Sequence, residues 1–323
     1  MGIEFARGIV FFFGIIIISI GCLSNALQKT GSKGSPSYAG FTDIDPKKNH
    51  FLIVGDTQRT SQWEFWRERN DPERKLILNE IARRDPAFVL HLGDLTTRGG
   101  SKKEWQELDE LHESLREKRI PCFPILGNHE FYGNDKKALG YYFGRFPHLE
   151  QRRWYRFAWK NVAFVMVDSN FETLTKEEEE IQFNWYLSEL KRFEKDKWID
   201  HIIVCCHEPP FTNSRVVGPN KKVRVSFADL FVQFRKTCFF FSGHSHTYER
   251  FQIGGKSFIV SGGGGGPRHK VTVDPGSKRY DDLFPGPASR FFHFCEIESV
   301  EGRLAYRVLR LEENGNFEIV DPI

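Results

Sequence analysis

The sequence predicts an α/β domain, because strand-like apolar runs alternate with helical patterns along the chain. Residues 51–54 are a continuous apolar run, and residues 87–92 are apolar except for His91; both have the length expected for buried strands. Segments with helix-capping residues and helical spacing separate several of these runs. A third observation concerns the ends of the runs, where glycine is repeatedly followed by aspartate, asparagine or histidine. This last pattern places polar groups at one edge of the predicted sheet.

Length and composition define the class of protein. The chain has 323 residues, 15% of them aromatic, and this is enough for a sizeable core. Its 46 basic and 43 acidic residues nearly balance, and we find no nucleic-acid-binding signal such as a basic arm or stripe. Beyond Cys22 the cysteines are odd in number and lie mostly in apolar runs, which favours packing over disulfides.

Residues 1–21 are predicted to be a signal peptide of the lipoprotein type. Arg7 precedes the apolar run 9–18, which has the length of a secretory core and is short for a membrane-spanning helix. The small residues before Cys22 resemble a lipoprotein cleavage box, so Cys22 is the candidate lipidated residue. An ordinary signal peptide or an uncleaved anchor stays open. We expect an exported bacterial lipoprotein, periplasmic or at the cell surface, with membrane contact only through this lipid or anchor.

Residues 22–49 are rich in Ser, Gly, Lys and Pro and are predicted to form a flexible tether. The folded domain is predicted to span residues 50–323. Its first helix is predicted to be capped by Asp71, with Pro72 at the first helical position, and to end before the Asp85-Pro86 pair. The other predicted strands are residues 122–126, 161–167, 201–206, 239–242, 257–260, 291–297 and 304–309.

Three further helices are predicted from capping and spacing. Ser101 and Glu104 form a capping box for a helix that carries apolar residues at helical spacing as far as Leu115. Thr175 and Glu178 cap a second helix that ends at about Lys195. Residues 227–234 are predicted to form a short third helix.

Polar groups able to bind a metal follow five of the predicted strands. Because ligands in α/β sheets collect beyond the carboxyl ends of the strands, we expect these side chains to converge. Gly-Asp and Gly-Asn are also ordinary turn sequences, so any one of them alone favours a turn. Their succession favours a site. The residues are Asp56, Asp94, Asn128, His207, and the pair His244 and His246.

The donor set indicates the chemistry. Two carboxylates, one amide and three imidazoles suit a pair of divalent or trivalent first-row metal ions, and no thiolate is present to favour zinc or iron-sulfur clusters. Two such ions close together stabilise the attacking and leaving oxygens of an in-line displacement. This predicts hydrolysis of a phosphoester.

The same residues lie in motifs that resemble the calcineurin-like metallophosphoesterase family over residues 50–310. The motif that follows His246 is similar to that of the purple acid phosphatase branch. The resemblance implies a four-layer αββα sandwich with two mixed sheets, and two metal ions drawn from Mn, Fe or Zn. The motifs are Gly55-Asp56-x-Gln58, Gly93-Asp94, Gly127-Asn128-His129-Glu130, Cys206-His207, Gly243-His244-Ser245-His246 and Thr247-Tyr248-Glu249-Arg250.

The resemblance also implies a role for each ligand. Asp94 would bridge the two metals, with Asp56 and His246 on the first metal. Asn128, His207 and His244 would hold the second metal, and His129 would donate a proton to the leaving group. Gln58 stands where the family usually has histidine and is expected to be a weaker ligand of the first metal. Thr97 replaces the tyrosine of the purple branch, so the protein is expected to be colourless.

The predicted function is metal-dependent hydrolysis of a small phosphorylated substrate by a hydroxide held between the metals, most simply as a phosphomonoesterase acting outside the cytoplasm. Phosphodiesterase and nucleotide hydrolase are the alternatives. A catalytically silent metal-binding module is an alternative of another class, and His129 argues against it because such a module needs no leaving-group acid. The substrate-selecting loops are predicted at residues 131–135, 213–222 and 262–282. The glycine run 262–266 is expected to approach the site closely.

Overall fold

Two six-stranded sheets form the centre of the structure, a computed structural model that describes residues 35–284 and 290–322. One sheet has the strand order β12-β11-β10-β1-β2-β3 and the other β4-β5-β6-β7-β9-β8. The strands are β1 (His50–Val54), β2 (Val89–His91), β3 (Cys122–Pro124), β4 (Tyr155–Trp159), β5 (Val162–Met166), β6 (His201–Cys206), β7 (Thr237–Ser242), β8 (Tyr248–Ile253), β9 (Lys256–Ser261), β10 (His293–Val300), β11 (Arg303–Leu311) and β12 (Phe317–Ile319).

Both sheets are mixed. Strands β1, β2 and β3 are parallel, and so are β5, β6, β7 and β9. The other neighbours are antiparallel. The parallel strands point their carboxyl ends toward one edge of each sheet, and every candidate ligand follows one of them. Strands β4, β8 and β12 were not predicted from the sequence.

The helices begin largely where the capping residues predict. Helix α1 ends before Asp85 as predicted but begins one residue earlier, with Asn70 rather than Asp71 at the N-cap, and α5 starts with a complete capping box between Thr175 and Glu178. The helix predicted from Ser101 breaks at His112 into α2 and α3. A π-helical turn, Arg224–Ala228, joins α6 to α7. The helices are α1 (Asp71–Arg84), α2 (Lys102–Leu111), α3 (Glu113–Glu117), α4 (Asp135–Arg145), α5 (Lys176–Lys195), α6 (Lys221–Val223) and α7 (Asp229–Phe231).

Aromatic rings fill the space between the two sheets. Phe51 of β1 stacks on Phe88 with ring centroids 5.0 Å apart, and Phe88 meets Phe164 of β5 edge-on at 5.4 Å. All three rings are fully buried. Burial of each ring contributes about 1.5–3 kcal/mol to stability, so this layer holds the two sheets together.

Helices cover the outer faces of the sheets. Ile77 and Ile81 of α1 share a buried cluster with Leu52 of β1, on the side of the first sheet away from the second. Tyr186 and Leu190 of α5 pack in the same way against the second sheet. The layers therefore run helix, sheet, sheet, helix, and the predicted four-layer αββα fold is confirmed.

The predicted tether, 22–49, is too long. Tyr38 lies buried in the main core, and its backbone N–H donates to the Arg145 carbonyl at 2.8 Å. Phe41 stacks on Phe123 with ring centroids 4.7 Å apart. A solvated tether would leave these two aromatic side chains in water, whereas here they pack against the core and stabilise it. The packed domain therefore begins before residue 50.

The predicted signal peptide, 1–21, and Cys22 lie outside the described residues, and the export predictions stay predictions. Within residues 35–284 and 290–322, no helix combines the length and apolar character needed to cross a membrane. The five cysteines in this part of the chain are all free, and four of them are buried. This confirms that they act as packing residues rather than as a disulfide framework.

Candidate metal centre

The predicted ligands converge beyond the carboxyl ends of the parallel strands. Asp56 follows β1, Asp94 follows β2, and His244 follows β7. Their φ angles are 59°, 55° and 62°, in the left-handed region that residues other than glycine rarely adopt. Such strain persists only where the surrounding structure imposes it, and it is concentrated at functional sites. The other predicted ligands in the same place are Gln58, Asn128, His207 and His246.

Two glycines let the ligand loops approach one another. A Cβ atom at Gly127 would lie 2.2 Å from Asp94 Oδ1, and one at Gly243 would lie 2.5 Å from Asp56 Oδ2. No real Cβ tolerates such distances, so glycine is required before Asn128 and before His244. The glycines of the Gly-Asn and Gly-His pairs are thus needed because the backbone passes close to a ligand side chain, and not only because the chain turns there.

Two groups of candidate ligand atoms share Asp94. The first site consists of Asp56, Asp94 and His246, and the second of Asp94, His207 and His244. Within each group the ligand atoms lie within 4.8 Å of one another. This is the arrangement expected for two ions bridged by one carboxylate.

The second site turns acceptor atoms toward each other, which fits a cation between them. His207 Nδ1 donates to the Leu92 carbonyl at 2.7 Å, which directs its Nε2 toward the other ligand atoms. That Nε2 lies 3.3 Å from Asp94 Oδ1 and 3.1 Å from Asn128 Oδ1. Asn128 Oδ1 also lies 2.9 Å from His244 Nδ1. Facing lone pairs repel unless a proton or metal ion lies among them.

The first site has the same character. His246 Nδ1 donates to the Pro267 carbonyl at 2.7 Å, which leaves the Nε2 lone pair 3.4 Å from Asp56 Oδ1. The Gln58 amide group lies 3.1 Å from Asp94 Oδ2 and 3.2 Å from His246 Nε2, while its Oε1 is buried without a partner. Rotating the amide by half a turn would place Oε1 beside the acceptor atoms of Asp94 and His246, an arrangement that a cation among them would satisfy. Gln58 therefore fits the first site as an oxygen ligand.

The pKa values at the second site indicate that a positive charge is stabilised there. Burial lowers the pKa of His207, but the Asp94 carboxylate, together with Asp56 and the Leu92 carbonyl, raises it to about 10. Burial raises the pKa of Asp94, yet His207 and His129 hold it well below its usual range. Burial, followed by His207, lowers the pKa of His244 to about 3. A metal ion competes for this position with a proton, so metal binding should weaken as pH falls.

His129 stands beside the shared carboxylate. Its backbone N–H donates to Asp94 Oδ1 at 3.0 Å, and its ring Nε2 lies 3.9 Å from Asp94 Oδ2. Ring Nδ1 donates to the Thr97 carbonyl at 2.8 Å, which fixes the tautomer and leaves Nε2 for a substrate. A ring nitrogen so placed can exchange a proton with a group beside Asp94.

Comparison with known proteins agrees with this geometry. Residues 50–248 match the sequence profile of the calcineurin-like phosphoesterases. The chain belongs to this family. The predicted resemblance is therefore confirmed, and the phosphoesterase fold explains why the ligands follow successive parallel strands.

The sequence relatives of this phosphoesterase include purple acid phosphatases. It is 28% identical over 267 residues to purple acid phosphatase 21 of Arabidopsis thaliana, covering 79% of this chain and 56% of the relative. It is 28% identical over 289 residues to purple acid phosphatase 22 of the same plant, covering 85% of this chain and 61% of that relative. The chain thus spans less than two thirds of these relatives.

Solved structures share the fold at low identity. One is described as GAP50, the anchor in the inner membrane complex of Plasmodium, with a TM-score of 0.63, 18% identity and coverage of 85% of this chain and 88% of that one. Another is the purple acid phosphatase PPD1 of yellow lupin seeds (Lupinus luteus), with a TM-score of 0.63, 16% identity and coverage of 85% and 53%. These similarities concern the architecture alone.

Sequence reasoning gave no role to Glu130, which ties two ligand loops of the phosphoesterase together. Its carboxylate accepts backbone N–H groups of Asp94 at 2.9 Å, Leu95 at 2.9 Å, Thr96 at 3.2 Å and Gly127 at 2.8 Å. Burial, followed by the Asp94 carboxylate, raises the pKa of Glu130 to about 7. Its position two residues after Asn128 was the only available signal.

His269 is a second residue that sequence reasoning missed. Its ring stacks on that of His246 with centroids 4.2 Å apart, and its Nδ1 accepts the His246 backbone N–H at 3.2 Å. The glycine run 262–266 lies alongside, and the Gly266 N–H donates to the Asp56 carbonyl at 2.7 Å. The predicted close approach of this run is confirmed, whereas a single histidine in a loop carried no signal of its own.

Proposed function

We propose that this phosphoesterase is a metal-dependent phosphatase that removes the phosphate group from small phosphomonoesters. The observation that carries the proposal is a single carboxylate, Asp94, shared by two ligand groups, with His129 Nε2 3.9 Å from it. A shared carboxylate suits two ions, and a neighbouring imidazole suits proton transfer to a leaving group. Both are needed for hydrolysis.

Each of the two ligand groups would hold one ion. Asp56, Asp94, His246 and Gln58 would hold the first ion, and Asp94, Asn128, His207 and His244 the second. When bound, the pair supplies a water of lowered pKa and positive charge against the phosphoryl oxygens. Glu130 keeps the Asp94 and Gly127 loops at a fixed separation, and His269 holds the His246 ring.

His129 supplies the proton for the leaving oxygen. Because Nδ1 is committed to the Thr97 carbonyl, the exchangeable proton resides on Nε2, and His129 lines a cavity in front of the metal centre. The ring also packs against Tyr132, with centroids 4.4 Å apart, so its orientation is fixed. A module without turnover would have no use for this arrangement.

The reaction is tested with nitrophenyl phosphate and bis(nitrophenyl) phosphate, using the full chain and added manganese. We expect kcat/KM to be higher for the monoester, because its extra negative charge meets the two ions. Faster hydrolysis of the diester would favour a phosphodiesterase. No turnover of either compound while both ions are bound would favour a silent metal-binding module.

The first ion is proposed to be held less tightly than the second, because Gln58 offers an amide oxygen where imidazole would bind later first-row metals better. We expect an ion such as manganese there, lost on dialysis. Gln58→His should retain that ion after dialysis without changing occupancy of the second site, as measured by metal analysis. Two firmly held ions in both proteins would show that Gln58 is not a weak ligand.

The setting outside the cytoplasm also belongs to the proposal. Its support is the apolar run 9–18 followed by Cys22 in the sequence. Detergent partitioning of the full chain and of Cys22→Ala tests it, since loss of a lipid would move the variant to the aqueous phase.

A further inference from the structure

A cavity of about 770 Å³ opens in front of the metal centre, and the proposed reaction uses only part of its wall. Trp63 and Arg98 also line it. We propose that these two residues form a subsite for the leaving group, which selects phosphomonoesters that carry a flat aromatic ring and a second anionic group. The inference rests on the proposed function and deepens it by naming the substrate class.

The loop that carries Trp63 is fixed at its base. Thr60 Oγ1 donates to the Glu68 carbonyl at 2.6 Å, which closes the loop, and Glu68 pairs with Arg268 at 2.8 Å. Trp63 is nevertheless 87% exposed. An indole exposed to this degree at the wall of a catalytic cavity is available for stacking, and a ring of the substrate is the partner that the cavity can admit.

The backbone on either side of Arg98 is hydrogen-bonded to His129, the proposed general acid. The Thr97 carbonyl accepts from His129 Nδ1 at 2.8 Å, and the Gly99 N–H donates to the His129 carbonyl at 2.9 Å. The side chain is exposed and has no ion pair or hydrogen bond within residues 35–284 and 290–322. It therefore offers an unpaired charged group on the same cavity wall as His129.

The other guanidinium groups at the cavity are already neutralised. Arg59 pairs with Glu104 at 2.6 Å, and Arg67 pairs with Glu64 at 2.8 Å. Arg98 alone among the three arginines of the wall lacks a carboxylate partner. A guanidinium in this state favours a carboxylate or phosphate of the ligand, which it binds through charge-assisted hydrogen bonds.

The cavity volume admits such a ligand. Pockets of about 300–1,000 Å³ hold ligands of drug size, whereas a bare phosphate needs far less space. Val216 and Val217 add apolar wall, which suits a ring more than a polyol. The scissile phosphate would lie at the metals, the ring at Trp63 and the second anion at Arg98.

Four substrates separate the two contributions: glycerol phosphate has neither feature, phosphoglycerate has the anion, phenyl phosphate has the ring, and carboxyphenyl phosphate has both. Trp63→Ala should lower kcat/KM for the two ring substrates about tenfold more than for the other two. Arg98→Ala should lower it about tenfold more for the two carboxylates. Comparing each variant with wild type on the same substrate cancels differences between leaving groups.

Trp66→Ala and Arg69→Ala are the matched controls. Trp66 is 70% exposed on the same loop, and neither residue lines the cavity. Arg69→Ala removes the same charge as Arg98→Ala, so any long-range electrostatic effect appears in both. The proposal predicts no selective loss in either control. Equal losses on all four substrates for Trp63→Ala, or losses in the controls that match the test variants, would overturn it.

Failure of the proposed function is a separate result. If the wild type turns over none of the four substrates, calorimetric titration with carboxyphenyl phosphate measures the subsite directly. Weaker binding of this compound to Trp63→Ala and to Arg98→Ala, relative to their controls, would then support the subsite without turnover. Unchanged binding would show that the aromatic loop serves some other surface.

Discussion

Asp94→Asn is expected to lower kcat/KM for nitrophenyl phosphate roughly a thousandfold or more, since bridged ions contribute several kcal/mol and each 1.36 kcal/mol is tenfold in rate. Both carboxylate oxygens are engaged. Oδ1 lies 3.3 Å from His207 Nε2, and Oδ2 lies 3.1 Å from the Gln58 amide. Asparagine keeps the size of the side chain but has one oxygen and no charge, so it cannot bridge two ions. Metal analysis should show that both ions are lost together.

Asp168→Asn is the matched control for this experiment. Asp168 is also a fully buried aspartate just beyond a strand, but it pairs with Arg153 at 2.6 Å and belongs to neither ligand group. Its replacement should lower the free energy of unfolding while leaving the metals in place, because the buried ion pair with the partly buried guanidinium of Arg153 is lost. Similar metal loss in both variants would contradict a bridging role for Asp94.

The same pair of aspartates shows how far the sequence can predict the site. Both follow predicted strands, and the sequence alone marks Asp94 only by its preceding glycine. The ligands were predictable because they come directly after apolar runs, a local pattern that parallel strands convert into proximity. Arg153 pairs with Asp168 through a tertiary contact, and no local sequence pattern predicts that contact.

The parts of the fold that the sequence did not predict have similar causes. Helix α4 contains Gly140 and Gly144, each of which costs about 1 kcal/mol relative to alanine, so its local signal is weak and packing supplies the rest. The burial of Tyr38 and Phe41 depends on a surface made by distant elements. In a polar stretch, two isolated aromatic residues do not reveal such a surface.

Glu130 is the residue from which we expect the largest combined effect on stability and activity outside the ligands themselves. One buried carboxylate accepts four backbone N–H groups, from the loops after β2 and after β3. Those loops carry Asp94 and Asn128. Glutamine at this position would turn an NH₂ group toward N–H donors and leave some of them unpaired in the interior. Each unsatisfied group costs about 1–3 kcal/mol.

Glu130→Gln should therefore lower the free energy of unfolding by about 3 kcal/mol and kcat/KM about a hundredfold, since a shift of about 1 Å at catalytic groups costs that much. Denaturant titration and steady-state kinetics on the metal-loaded protein measure the two effects. Glu296→Gln is the control, because Glu296 is a buried carboxylate paired with Arg84 at 2.9 Å and Arg307 at 3.1 Å, away from the ligands. It should lose stability and keep its turnover. If Glu130→Gln behaves in the same way, its carboxylate supports the fold and does not position Asp94 or His129.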